Sequence, residues 1–165
     1  MSRANDFREL IGEIRRFRDA SGRLREAMRE LMITDVPLIG KGATASVAAA
    51  GLIESFYTAI ETVLFRISQI FGNSLNPDRW HSDLLRRMAI TIPDVRPAVI
   101  SERTLSMLDE LMRFRHFKRY YFHLEYDWTR LDYLLGLADR VSPVLDGELA
   151  GFESFLESVI AEMEE

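Results

Sequence analysis

Residues 4–33 read ANDFRELIGEIRRFRDASGRLREAMRELMI. Within them Phe7, Leu10, Ile14, Phe17, Ser21, Leu24, Met28 and Leu31 recur at spacings of three and four. That is the period of a helix with one apolar face, not the alternation of a strand. The spacing predicts a helix over about 4–33, its seam turned toward other helices of a bundle rather than standing free as a coiled coil. Ser21-Gly22 interrupts the seam and is expected to mark a bend.

The same reading extends to the rest of the chain. Asp35, Pro37, Gly40 and Gly42 form a connection. Gly40-Lys41-Gly42 has neither the spacing nor the preceding strand of a phosphate-binding Walker loop. A second helix is expected from Thr44 or Ser46 to about Phe71, with Leu52, Phe56, Ile60, Val63, Ile67 and Ile70 on one face, stopped by Gly72-Asn73. Asn76-Pro77-Asp78 is a helix-start signature for a short helix from Trp80 to about Ala89. Pro93 and Arg96-Pro97 belong to an extended link. Ser101 caps a fourth helix carrying Leu105, Leu108, Leu111 and Met112. Asp127 caps a fifth with Leu131, Leu134, Leu135 and Ala138. Ser142-Pro143 is expected to break it, leaving a last helix on Leu145, Leu149, Phe152, Leu156, Val159 and Met163. The expected fold class is all-α: an up-down helical bundle of five to six helices in one domain, 1–165. A long N-terminal helix (1–34) precedes the core, and an acidic C-terminal helix (143–165) follows it.

Composition narrows the chemistry. The 165 residues hold 21 bases, 26 acids, three His and no Cys, for a net charge of −5. Absence of Cys excludes a disulfide framework, a zinc–thiolate site and a thiol nucleophile. The longest uncharged apolar run, Ala43–Ile53, is stopped by Glu54, well short of the ~20 residues that cross a bilayer. Arg3, Asp6, Arg8 and Glu9 near the start leave no apolar signal region. A cytoplasmic protein without membrane contact is the expectation. Of the bases, 19 are Arg; Arg suits bidentate phosphate recognition, and GC-rich coding produces the same skew. Residues 141–165 hold seven acids and no base, so the other 140 carry a net +2. Such an acidic face is either solvated or paired with a basic surface of the protein, its own dimer's cleft included.

The densest chemistry lies at Arg113–Glu125, RFRHFKRYYFHLE. Arg113, Arg115, Lys118 and Arg119 stand among aromatics with His116 and His123. Arg115 shares the stripe of Leu108 and Leu111, which points it inward, where it needs an acidic partner or an anion. One reading is a solvated basic face stacked on aromatics. The other is a phosphate- or RNA-contacting face on which Arg supplies charge and rings supply stacking. His81 and Asp83, two apart on a helix, diverge and make a poor metal pair, so no metal or other cofactor is expected. Trp80 reads as a core or interface anchor, and His81 as a helix-surface or interface His.

Three stretches together resemble the HEPN superfamily, and HepT-like proteins within it: Phe56–Glu61 followed by Phe65-Arg66-Ile67, Trp80–Ala89, and Arg113–Phe117 followed by Arg119. The resemblance covers about 40–140, the HepT-like core. It implies a HEPN-like helical homodimer acting as a metal-independent endoribonuclease, commonly the toxin of a toxin–antitoxin pair. It also implies a nucleotidyltransferase-type antitoxin that places AMP on a motif tyrosine, here Tyr120 or Tyr121. The family motif is Arg, four to six residues, then His, often followed two positions on by Tyr. Arg115 matches the Arg, but Tyr120 stands at the expected His and Phe122 at the expected Tyr. His123 is eight residues after Arg115, and His116 is beside it.

The substitution bears directly on the chemistry. Metal-free RNA cleavage deprotonates the 2′-hydroxyl, protonates the leaving oxygen and stabilises phosphorane charge, tasks for His and Arg. Tyr, with a pKa of about 10, is a poor base at pH 7. The candidate catalytic residues are Arg115, Arg119, His116, Tyr120 and His123, with Arg113, Arg115, Lys118 and Arg119 binding RNA phosphate. The alternative is a catalytically degenerate HEPN dimer that binds RNA or protein. Residues five apart on a helix point about 140° from each other, so pairing them is easier across a two-fold axis, which predicts a shared basic cleft.

Overall fold

The computed structural model describes residues 3–72 and 75–165. Helix α1 (Arg3–Glu30) buries Phe7, Leu10, Ile14, Phe17 and Met28, the predicted seam. It passes through Ser21-Gly22 without a break in the helix. A π-helical turn, Leu31–Asp35, and a short helix α2 (Val36–Ile39) carry it further than the sequence suggested. The stop is Gly40, at φ 77°, a left-handed conformation that glycine adopts without strain.

Helix α3 (Ala43–Ile70) begins one to three residues before the expected cap, on Gly42 and with no capping side chain. Ser46 instead donates its hydroxyl to the carbonyls of Ala43 and Leu124. An 18-residue window of α3 has mean hydropathy 1.3, long and apolar enough by composition to cross a membrane. That exceeds the expectation drawn from the Ala43–Ile53 run. The apolarity follows from position: α3 packs against α1, α4, α5 and α6, and its buried residues form one broad face that meets all four. Gly72, at φ 68°, follows its end; the Asn73 stop lies outside the described residues.

Helix α4 (Trp80–Met88) occupies the expected span. The Asn76 side chain accepts from the Asp78 N–H within the preceding turn rather than capping the helix. The link after α4 is pinned by Arg96, which is buried and donates to the carbonyls of Arg87, Ile90 and Pro97. Helix α5 (Glu102–Tyr120) starts at the predicted Ser101 cap, which accepts from the Thr104 N–H. Helix α6 (Trp128–Glu164) starts at the predicted Asp127 cap.

The expected break at Ser142-Pro143 does not occur: α6 runs through Pro143 for 37 residues. Leu131, Leu134, Ala138, Val141, Leu145, Leu149, Phe152 and Leu156 stay buried on one stripe across the proline. Burial on both sides outweighs a cost of about 3 kcal/mol for an interior proline. The molecule is thus an all-α bundle of five main helices sharing one continuous apolar core. Among the described residues there is no strand, only an isolated bridge between Ile92 and Arg96.

The acidic C-terminal stretch faces α1. Arg18 pairs with Asp146 and Glu153, Arg15 with Glu153 and Glu157, and Arg8 with Glu164. The basic surface these acids meet is therefore the chain's own first helix rather than the Arg113–Arg119 run.

Candidate functional site

Glu61 is the centre of the site. It lies on α3 among Tyr57, Ile60 and Leu64, all buried, and is itself buried. A buried carboxylate requires partners, and two reach it from other helices. Arg115 of α5 donates from Nη1 to Oε1 at 2.8 Å. Nδ1 of His81, from α4, lies 2.6 Å from Oε2. The Nδ1–H donates in this pair and leaves Nε2 free. The inward-pointing Arg115 thus meets the acidic partner its position demanded.

His116 joins from α5, its ring 4.9 Å from that of His81. Partial burial, then the neighbouring His81 and Arg115, hold the His116 pKa below the ordinary value, so it is neutral at pH 7. Trp80 stacks on His81 with ring centroids 3.6 Å apart and packs near Phe65. The anchor reading of Trp80 fits this contact. The Arg115 guanidinium lies 5.9 Å from the Tyr57 ring centroid. Burial, then the Glu61 carboxylate, raises the Tyr57 pKa well above its normal value, and the phenol stays protonated. The side chains of Arg115 and His81 keep 21% and 19% exposure, so the cluster can be reached from solvent.

The other sequence candidates are elsewhere. Arg113 pairs with Asp109 at 2.7 Å, and Lys118 with Glu54 at 2.8 Å. Arg119 is exposed and makes no ion pair among the described residues. Tyr120, the last helical residue, is 76% exposed. Tyr121 donates its hydroxyl to the Glu125 carbonyl and packs against Phe117 and Tyr126. His123 lies beyond the end of α5, its ring 5.4 Å from that of Tyr121. Of the five catalytic candidates, the fold brings together Arg115 and His116, with Arg119 one turn along the same helix and close enough to act on His116, and leaves Tyr120 and His123 outside.

Sequence reasoning missed Glu61 and set His81 aside. The signal for Glu61 was available: it is the only acid in the Phe56–Ile67 stretch, set directly after Ile60 of the apolar face. His81 carried no such signal, because its partner is 20 residues away. Among the described residues no group of three or more His, Cys, Asp or Glu side chains is placed to hold a metal ion.

Residues 48–156 match the family model described as HepT-like protein. The chain belongs to the HepT-like family. The matched span takes in α4, α5 and nearly all of α3, and continues along α6 past Pro143; α1 lies before it. No curated protein and no solved structure matches the chain. In this HepT-like chain, Arg115 and the neutral His116 therefore stand within the region that defines the family.

Proposed function

We propose that this HepT-like protein is a metal-independent endoribonuclease, the toxin component of a toxin–antitoxin module. The observation that carries the reading is the convergence of His116 and His81 beside Arg115, whose guanidinium is held by buried Glu61. Arg115 spends one Nη1 donor on Glu61 and keeps the rest of its fork for a phosphate oxygen. Arg119, exposed and without an ion pair among the described residues, extends the phosphate-binding surface one turn on. A homodimer would place two such clusters about one axis. The exposed Tyr120 hydroxyl suits modification by a nucleotidyltransferase-type antitoxin better than that of Tyr121, which is already hydrogen bonded.

A second reading, a non-catalytic RNA- or protein-binding dimer, is favoured by Tyr120 at the motif His and by the carboxylates beside Arg113, Arg115 and Lys118. Expression in a bacterial host separates the two. Wild-type protein is expected to arrest growth and fragment RNA, and Arg115→Ala to do neither. Equal growth and intact RNA with both forms would remove the nuclease and leave the binding module.

A further inference from the structure

We propose that His81 and His116 form the proton-transfer pair of this site, with Glu61 as the carboxylate that holds both His81 and Arg115. The inference rests on the ribonuclease reading and names residues for it outside the Arg-to-His motif. The motif fails at Tyr120, yet two imidazoles from different helices stand 4.9 Å apart beside the motif Arg. An in-line attack at phosphorus needs one group at the attacking 2′-oxygen and another at the departing 5′-oxygen. Two adjacent imidazoles next to a guanidinium supply both groups and the charge.

The step balances as follows. Neutral His116 accepts the proton of the ribose 2′-hydroxyl as the 2′-oxygen bonds to phosphorus. Arg115 and Arg119 stabilise the phosphorane oxygens. The bond from phosphorus to the 5′-oxygen breaks, and that oxygen takes a proton from Nε2 of protonated His81. The products are a 2′,3′-cyclic phosphate and a 5′-hydroxyl, with His116 protonated and His81 neutral until they exchange protons with water.

The environment sorts the roles. Facing His116 are His81 from α4, Arg115 and Arg119 from its own helix, and Glu61 from α3. Burial and three of these four neighbours favour the neutral ring, as a base requires. His81 faces the Glu61 carboxylate at 2.6 Å through Nδ1, which holds the ring and leaves Nε2 for proton transfer. Trp80 stacks on the same ring and limits its rotation.

The test uses the full-length protein, chelator-treated, with two variants and two substrates. His81→Asn keeps an N–H for Glu61 but cannot transfer a proton; His116→Gln likewise removes proton transfer. On ordinary RNA each is expected to lower kcat by about 10²–10⁴-fold with KM little changed. His116→Gln should lose the acidic limb of the pH–rate profile. RNA with a bridging 5′-sulfur has a leaving group that needs no proton, so it should restore His81→Asn to within about tenfold of wild type but not His116→Gln. Such rescue also shows that His81→Asn is folded. Wild-type cleavage with either variant within about threefold on ordinary RNA, or failure of the sulfur substrate to rescue His81→Asn, overturns the pair and leaves the ribonuclease reading standing. No RNA cleavage by wild type overturns both.

Discussion

Glu61 sets the character of the site because one buried carboxylate serves two cations drawn from different helices. Removing Arg115 would leave Oε1 short of its donor, and such a loss costs about 1–3 kcal/mol. His116 offers a residue-scale test that is independent of catalysis. Its folded pKa lies below the unfolded value of about 6.5. The unfolded chain therefore binds the extra proton first as pH falls. Stability from this group is complete above about pH 6.5 and declines on acidification toward the folded pKa. Urea unfolding of wild type and His116→Gln between pH 5 and pH 7 should show a shallower acid-side decline in the variant; parallel curves would refute the assignment.

At the scale of elements, α6 holds the clearest conflict between local and tertiary preference. Pro143 has no N–H for the Asp139 carbonyl, and Ser142 turns its hydroxyl back to the Ala138 carbonyl. Pro143 is exposed, so replacing it removes no packing. Pro143→Ala is expected to stabilise the protein by about 1–2 kcal/mol, the restored helix bond being offset in part by a freer unfolded chain. Denaturant midpoints would check this, and a destabilised variant would contradict it. The phase of the apolar stripe already carried the answer, since Ala138, Val141 and Leu145 keep helical spacing through the proline. Reading the proline alone gave a break; reading it with the stripe gives one helix. The Ser101 and Asp127 starts were legible because a cap is decided within three residues.

For the whole molecule, the distribution of charge explains more than its total. Arginines of α1 meet acids of α6 in a ladder from Arg8–Glu164 to Arg18–Asp146. Arg18 matters most, because it grips Asp146 through Nε and Nη2 and also faces the buried Glu153. Arg18→Ala should cost about 1–2 kcal/mol, and Arg8→Ala, with both partners half exposed, under about 1 kcal/mol. Thermal or chemical unfolding of the two variants decides it, and equal losses would contradict the ranking. Much of the Arg excess is thereby structural. The run of bases at 113–119, which looked uniformly basic, is largely balanced by Asp109, Glu54 and Glu61.

By itself the sequence determined the helical class, most of the core and two helix starts. It also carried the resemblance that the family match bears out. Those features repeat every three or four residues or depend on near neighbours, so a linear reading reaches them. Tertiary structure alone decided which charges meet. Glu61 pairs with residues 20 and 54 positions away, and Asp146 and Glu153 of α6 with arginines 128 and 138 positions away. Such pairings are set by how helices pack, a geometry to which sequence spacing is blind. The same packing placed His81 beside His116 and left His123 beyond the end of its helix.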